Sequence, residues 1–112
     1  MDGLIQEKTF DFALLVIGYT AILSESRKFA IANQLIRCGT SIGANVREAQ
    51  HAESRADFIH KLKIASKEAE ETSYFLELCE RAEDYAKPGE LLIKVKEIQR
   101  ILTKIISTSK AV

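Results

Sequence analysis

Apolar or small residues spaced alternately four and three apart recur in three separate stretches of this 112-residue chain. The first is Leu35, Gly39, Ile42, Val46 and Ala49. The second is Phe58, Leu62, Ala65, Ala69, Thr72, Leu76 and Cys79, and the third is Leu91, Val95, Ile98, Leu102 and Ile105. Such spacing lays each set along one stripe of an α-helix and suits helices that cross at a shallow angle. With one proline, Pro88, and five glycines, the chain has few residues that would interrupt long helices. The length allows one domain, residues 1–112, with enough buried surface for a single core.

Taken in order, a first helix is expected over about Leu4–Leu23. Ile5, Phe12, Val16, Tyr19 and Leu23 form its stripe, with Thr9 at the skipped position. Ala13, Leu14, Leu15, Ile17 and Ile22 occupy its other faces, so this helix is apolar nearly all round. Such a helix needs two partners, and a bundle of this size offers only one from its own core. The second partner is expected to be another subunit. Ser24 or Ser26 is placed to cap a second helix that runs to about Gln50. Gly39 and Gly43 each cost that helix about 1 kcal/mol, so a close neighbouring backbone is expected beside them.

Ser54, with Asp57 three residues on, reads as a capping box opening a third helix. Folding the chain about Ala52–Glu53 brings Ala65 and Ala69 toward the two glycines and sets Arg37 level with Glu68. An Arg37 ion pair with Glu68 or Glu71 follows. Gln34, Ser41, Asn45 and Glu48 form a polar stripe beside the second seam, with a structural role. Pro88 suits the first turn of a fourth helix, which ends near Ser107 and leaves Thr108–Val112 to fray. The expected architecture is an all-α, antiparallel up-down-up-down four-helix bundle.

Sixteen basic and sixteen acidic residues cancel overall but not locally. Net charge runs −3 over residues 1–25, +5 over 26–67, −6 over 68–90 and +4 over 91–112. Adjacent helices of opposite sign attract. The basic side chains Arg27, Lys28, Arg37, Arg47, Arg55, Lys61, Lys63 and Lys67 could instead meet phosphates. Repeated by symmetry in an oligomer, Arg47, Arg55, Lys61, Lys63 and Lys67 would form a basic, RNA- or DNA-binding ring on helices 2 and 3.

Other chemistry is poorly supported. Glu48/His51 and Asp57/His60 have the carboxylate-x-x-histidine spacing of di-metal bundles. Yet Glu48 and His51 face away from the Leu35 seam, and the end of the fourth helix offers no carboxylate at that height. No metal or cofactor is expected. Cys38 and Cys79 fall about 18 Å apart along the hairpin, at 1.5 Å per helical residue, too far to bridge. No nucleophile elbow or phosphate-binding glycine loop occurs, so no catalytic residue is assigned. The longest apolar run is about half the 20 residues a bilayer needs, so no membrane span is expected. Two cysteines without a basic, apolar leader point to the cytoplasm.

The chain resembles a family of small bacterial helical proteins, the S23-type proteins encoded in intervening sequences of 23S rRNA genes. The resemblance rests on Gln34-Leu35, Ser41-Ile42, Asn45-Val46-Arg47-Glu48, Ser54, Ala56-Asp57-Phe58, Leu62, Ile64-Ala65, Lys67-Glu68-Ala69, Glu71-Thr72 and Tyr74-Phe75-Leu76-Glu77-Leu78. It covers nearly the whole chain and implies a four-helix bundle assembled into a homo-oligomeric ring, a pentamer. A relative, the accessory protein of diversity-generating retroelements, binds nucleic acid and a reverse transcriptase; it is strongly basic, whereas this chain is neutral. Many members have glycine after the Asn-x-x-Glu motif, where this chain has Ala49. The resemblance implies no catalytic residues. It points to a non-enzymatic scaffold or interaction module whose partners are itself, nucleic acid or another protein.

Overall fold

Four helices carry nearly all of the polypeptide: α1 (Leu4–Glu25), α2 (Phe29–Ala49), α3 (Arg55–Arg81) and α4 (Glu90–Lys110). The computed structural model describes residues 3–111. The helices run antiparallel in sequence order around a bundle of 48 × 20 × 19 Å. Each packs on two neighbours, and α1 closes the circle against α4. The architecture is the expected all-α four-helix bundle.

The seams read from the sequence form the core, except that Phe58 and Ile105 are only partly buried at its edge. Leu35, Ile42 and Val46 of α2, Leu62 and Leu76 of α3, and Val95 and Leu102 of α4 are fully buried. Ile5, Phe12, Val16 and Leu23 of α1 join them. Thr9, at the skipped position, is buried because its hydroxyl donates to the Ile5 carbonyl at 2.8 Å. That bond lets a polar side chain lie within the apolar stripe. Cys38 and Cys79 are free and buried, in keeping with their reading as small core residues.

The α1–α2 connection differs from expectation. Neither Ser24 nor Ser26 caps α2, whose N-cap residue Lys28 makes no side-chain capping bond. Instead α1 ends in a Schellman motif: Lys28 N–H donates to the Leu23 carbonyl and Arg27 N–H to that of Ser24. Arg27 takes the left-handed conformation that this closure needs, φ 63°. Ser26 is thereby used as the C-cap of α1, and α2 begins only at Phe29.

The α2–α3 turn closes as the sequence suggests. Ser54 Oγ accepts from Asp57 N–H at 3.0 Å, and Asp57 Oδ2 accepts in return from Glu53 N–H at 3.3 Å. Before α4, Pro88 lies outside the helix rather than in its first turn. Gly89 is the N-cap, at φ 56°, where a side chain would be strained. α4 continues through Lys110. The segment expected to fray is therefore helical that far, and Val112 lies outside the described residues.

Gly39 and Gly43 do permit close approach, but toward α1 and not toward α3. A Cβ on Gly39 would lie 2.9 Å from both Val16 methyls, and one on Gly43 would lie 3.3 Å from the Thr9 carbonyl oxygen. Gly39, within the Leu35 seam, and Gly43, beside it, are both turned to α1. Ala65 and Ala69 are buried in the core.

Candidate functional site

The most unusual surface is the outward side of α1. Phe10, Leu14, Ile17 and Ile22 are each about half exposed, at 52, 54, 50 and 49%. Phe10, Leu14, Ile17 and Ala21 repeat the four-three-four spacing on the side opposite the core stripe. Leu15, Gly18 and Ile22 make a second such line beside it. Gly18 has open space around the position of a Cβ, so nothing within the subunit explains a glycine there. Phe29, 53% exposed, opens α2 on the side turned to α1. A cleft of about 390 Å³ runs between α1 and α2, lined by Gln6, Phe10, Ala13, Thr40, Gly43 and Arg47 among others.

The ion-pair expectation can be compared directly. The Arg37 guanidinium lies 3.4 Å from Glu68 Oε1 and 2.5 Å from Glu71 Oε2, and it also donates to Gln34. Its bond to Glu71 raises the Arg37 pKa and lowers that of Glu71. The rest of the polar stripe is satisfied locally: Asn45 donates to the Ser41 carbonyl, and Glu48 accepts from Lys61 at 3.0 Å. The ion pairs of Arg37 with Glu68 and Glu71 and of Lys61 with Glu48 join α2 to α3.

The five cations proposed for nucleic acid, Arg47, Arg55, Lys61, Lys63 and Lys67, do not form one face. Arg47 turns to α1, its guanidinium carbon 5.9 Å from the Phe10 ring centroid. Lys61 is engaged by Glu48 on α2, and that bond raises its pKa. Arg55 opens α3 at the exposed turn. Only Lys63 and Lys67 remain together, because they point from α3 toward α4. Contact with the Lys110 ammonium, and its charge, hold the Lys63 pKa below the ordinary lysine value. Positions 61 and 63 are 200° apart on a helix, which separates Lys61 from Lys63.

His51 and His60 are exposed. Among the described residues, no three of histidine, cysteine, aspartate and glutamate converge as a metal site would require. No helix of the described residues is long and apolar enough to cross a membrane.

The geometry defines an antiparallel four-helix bundle with a half-exposed apolar row on α1. The sequence matches the family described as 23S rRNA-intervening sequence protein over residues 2–104, and the chain belongs to that family. It is also similar to a crystal structure from Bacteroides thetaiotaomicron VPI-5482, described as a protein with unknown function from the S23 ribosomal protein family. The two share 43% identity with a TM-score of 0.86, over 91% of this chain and 97% of that one. A search of curated proteins finds no match.

Proposed function

We propose that this protein is a non-enzymatic, self-assembling helical bundle that serves as an interaction or scaffold module, with the outward face of α1 as its subunit interface. The observation that carries this reading is the row of half-exposed side chains Phe10, Leu14, Ile17 and Ile22. The proposed occupant of that face is a second copy of the chain. The spacing on the face matches the seams by which this chain's own helices pack, so a helix of the same kind fits it. Gly18 lies within the face, and close approach of a partner helix there would account for a residue that otherwise costs α1 about 1 kcal/mol. Family resemblance supports a closed ring of five.

Burying the remaining half of each of these four large side chains contributes about 1 kcal/mol apiece, or about 4 kcal/mol per face. A single contact of that strength would be weak, near millimolar. In a closed ring this face meets a different surface of the next subunit, so every subunit takes part in two contacts and closure supplies avidity that an open dimer lacks.

Sedimentation equilibrium at micromolar concentration tests the reading. The wild-type protein is expected at a multiple of 12.5 kDa, five-fold for a pentamer. Leu14→Lys with Ile17→Lys is expected at 12.5 kDa with helical circular dichroism unchanged. A wild-type particle of 12.5 kDa would overturn the proposal.

A further inference from the structure

A second exposed line runs down α3, the helix diagonally across the bundle from α1; α2 and α4 are the neighbours of both. The line reads Lys63, Lys67, Glu70, Tyr74, Leu78 and Arg81, at helical spacing, and all six are exposed. Tyr74 and Leu78 keep 56 and 41% of their surface outside the subunit. Beside Leu78 a groove of about 420 Å³ opens between α2 and α3, with Ile31, Tyr85 and Arg81 in its walls. The glutamates near the line are drawn to neighbouring helices. Glu68 and Glu71 meet Arg37 on α2, while Glu70 and Glu77 meet Gln99 and Lys96 on α4. The charges left on the line are the cations Lys63, Lys67 and Arg81.

The outward side of α1 has the opposite sign. Glu7, Asp11 and Glu25 flank Leu14, Gly18 and Ile22 there, and all six are exposed. Lys8, the one cation of α1, is turned to Glu97 of α4. In an antiparallel bundle α1 and α3 run the same way. The approach of Gly39 to Val16, with the pairs Arg37–Glu68 and Lys61–Glu48, sets each α1 residue level with the α3 residue about 53 positions further on. Asp11 is then level with Lys63, one turn above Lys67. Ala21 and Ile22 are level with Tyr74, and Glu25 is level with Leu78, one turn above Arg81.

We infer that the outward face of α1 docks on the Tyr74–Leu78 face of α3 in the next copy of the chain. The contact is a parallel helix pair, apolar in its lower half, with acids over bases at both ends. This rests on the reading of α1 as a subunit interface and adds the surface that receives it. Three observations select α3. First, α1 against α1 sets acid on acid: in parallel each carboxylate meets its own copy, and antiparallel about the middle of the row Glu7 meets Glu25. Second, among the described residues α2 and α4 each present one large exposed apolar side chain, Phe29 and Ile93, whereas α3 presents two one turn apart. Third, both faces lean to the α2 side, because Phe10 lies against Arg47 and Leu78 shares its groove with Ile31. Successive copies therefore turn in one sense, as closure into a ring requires. In this register Gly18 lies within a turn of Tyr74, whose ring can lie over it. Exposed ion pairs add little affinity, so the charges fix register and partner while apolar contact holds the helices.

Cross-linking of the assembled protein tests the inference. Asp11→Cys and Lys67→Cys lie at the polar rim, where a substitution costs little. With a short bismaleimide, the chain carrying both is expected to give a ladder of covalent multimers in denaturing electrophoresis. Each single substitution is expected to stay at 12.5 kDa, since Cys38 and Cys79 are buried. Tyr74→Lys with Leu78→Lys should sediment at 12.5 kDa with helical circular dichroism unchanged. A covalent dimer from Asp11→Cys alone would mean that α1 meets α1, and would overturn the inference. So would a doubly substituted chain that sediments as a multimer yet gives no cross-link, or assembly of the Tyr74→Lys, Leu78→Lys variant equal to wild type. Each of these leaves the α1 interface itself standing. A wild-type particle of 12.5 kDa would instead remove that interface and this inference with it.

Discussion

Gly39→Ala is a sharp test of the packing described above, because two effects of known sign oppose each other at one methyl group. Alanine improves the intrinsic helix propensity of α2 by about 1 kcal/mol. Against this, the new Cβ would stand 2.9 Å from Cγ1 and Cγ2 of Val16 and 3.4 Å from its Cβ. Val16 cannot swing away, since a β-branched side chain in a helix has essentially one rotamer. It is also fully buried, so α1 must move outward or the contact must stay compressed. Overpacking of this kind costs about 1–3 kcal/mol, which gives a net loss of about 1 kcal/mol. A drop of about 4 °C in the thermal midpoint is expected for a domain of this length. Val16→Ala alone should cost about 2 kcal/mol through its cavity. In the Gly39→Ala background it should cost about 1 kcal/mol less, because the added methyl takes up part of the vacated space. Urea denaturation of the four proteins closes this cycle. If Gly39→Ala proved about 1 kcal/mol more stable than wild type, the close approach of α1 to α2 would be wrong.

Further outcomes follow from particular side chains. Ser54→Ala removes the acceptor for Asp57 N–H and should lower stability by about 1 kcal/mol in chemical denaturation, while Ser54→Gly should cost only a few tenths. Ser73 Oγ is buried with no hydrogen-bond partner, so Ser73→Ala should be neutral or stabilising by up to about 1 kcal/mol in the same assay. Gly18→Ala should raise helix stability in the dissociated subunit by about 1 kcal/mol yet shift sedimentation of the wild-type background toward smaller species. Burial raises the Cys38 and Cys79 thiols above their ordinary value of 9.0, so the unfolded chain ionises first as pH rises. Stability should therefore be level below about pH 8.5 and fall progressively above about pH 9, measured as the urea midpoint. Both thiols should react with a thiol reagent only as fast as the protein opens.

Much of this fold could be read from spacing alone. A seam such as Leu35–Ile42–Val46 names the buried stripe of its helix whatever lies opposite, because period and burial are the same constraint. Spacing does not say which neighbour a residue beside the seam will meet. Counting along the α2–α3 hairpin sets Gly39 and Gly43 near Ala65 and Ala69, whereas their closest neighbours are Val16 and Thr9 of α1, which that count does not reach. The helix start at Phe29 was hidden for another reason. The chain reverses through a left-handed Arg27, where glycine is the usual marker, so the serines beside it suggested the wrong cap.

The same limit governed the candidate surfaces. The alternation of charge along the chain favours pairing of the basic segment with the acidic one, and Arg37 meets Glu68 and Glu71 because both lie within one hairpin whose register a short turn fixes; Lys61 meets Glu48 inside the basic segment, which the alternation does not indicate. Lys63 meets Lys110 across the longer Ala82–Gly89 connection, and no count from sequence sets that register. α1 is the opposite case, because its apolar residues on every face require no register to interpret. Seven of its residues are buried by α2 and α4, and that side alone satisfies the fold. Phe10, Leu14 and Ile17 keep about half of their surface outside the subunit, and exposing them in a row invites association. A sequence that keeps apolar side chains where its own core gains nothing from them is best explained by a contact outside that core.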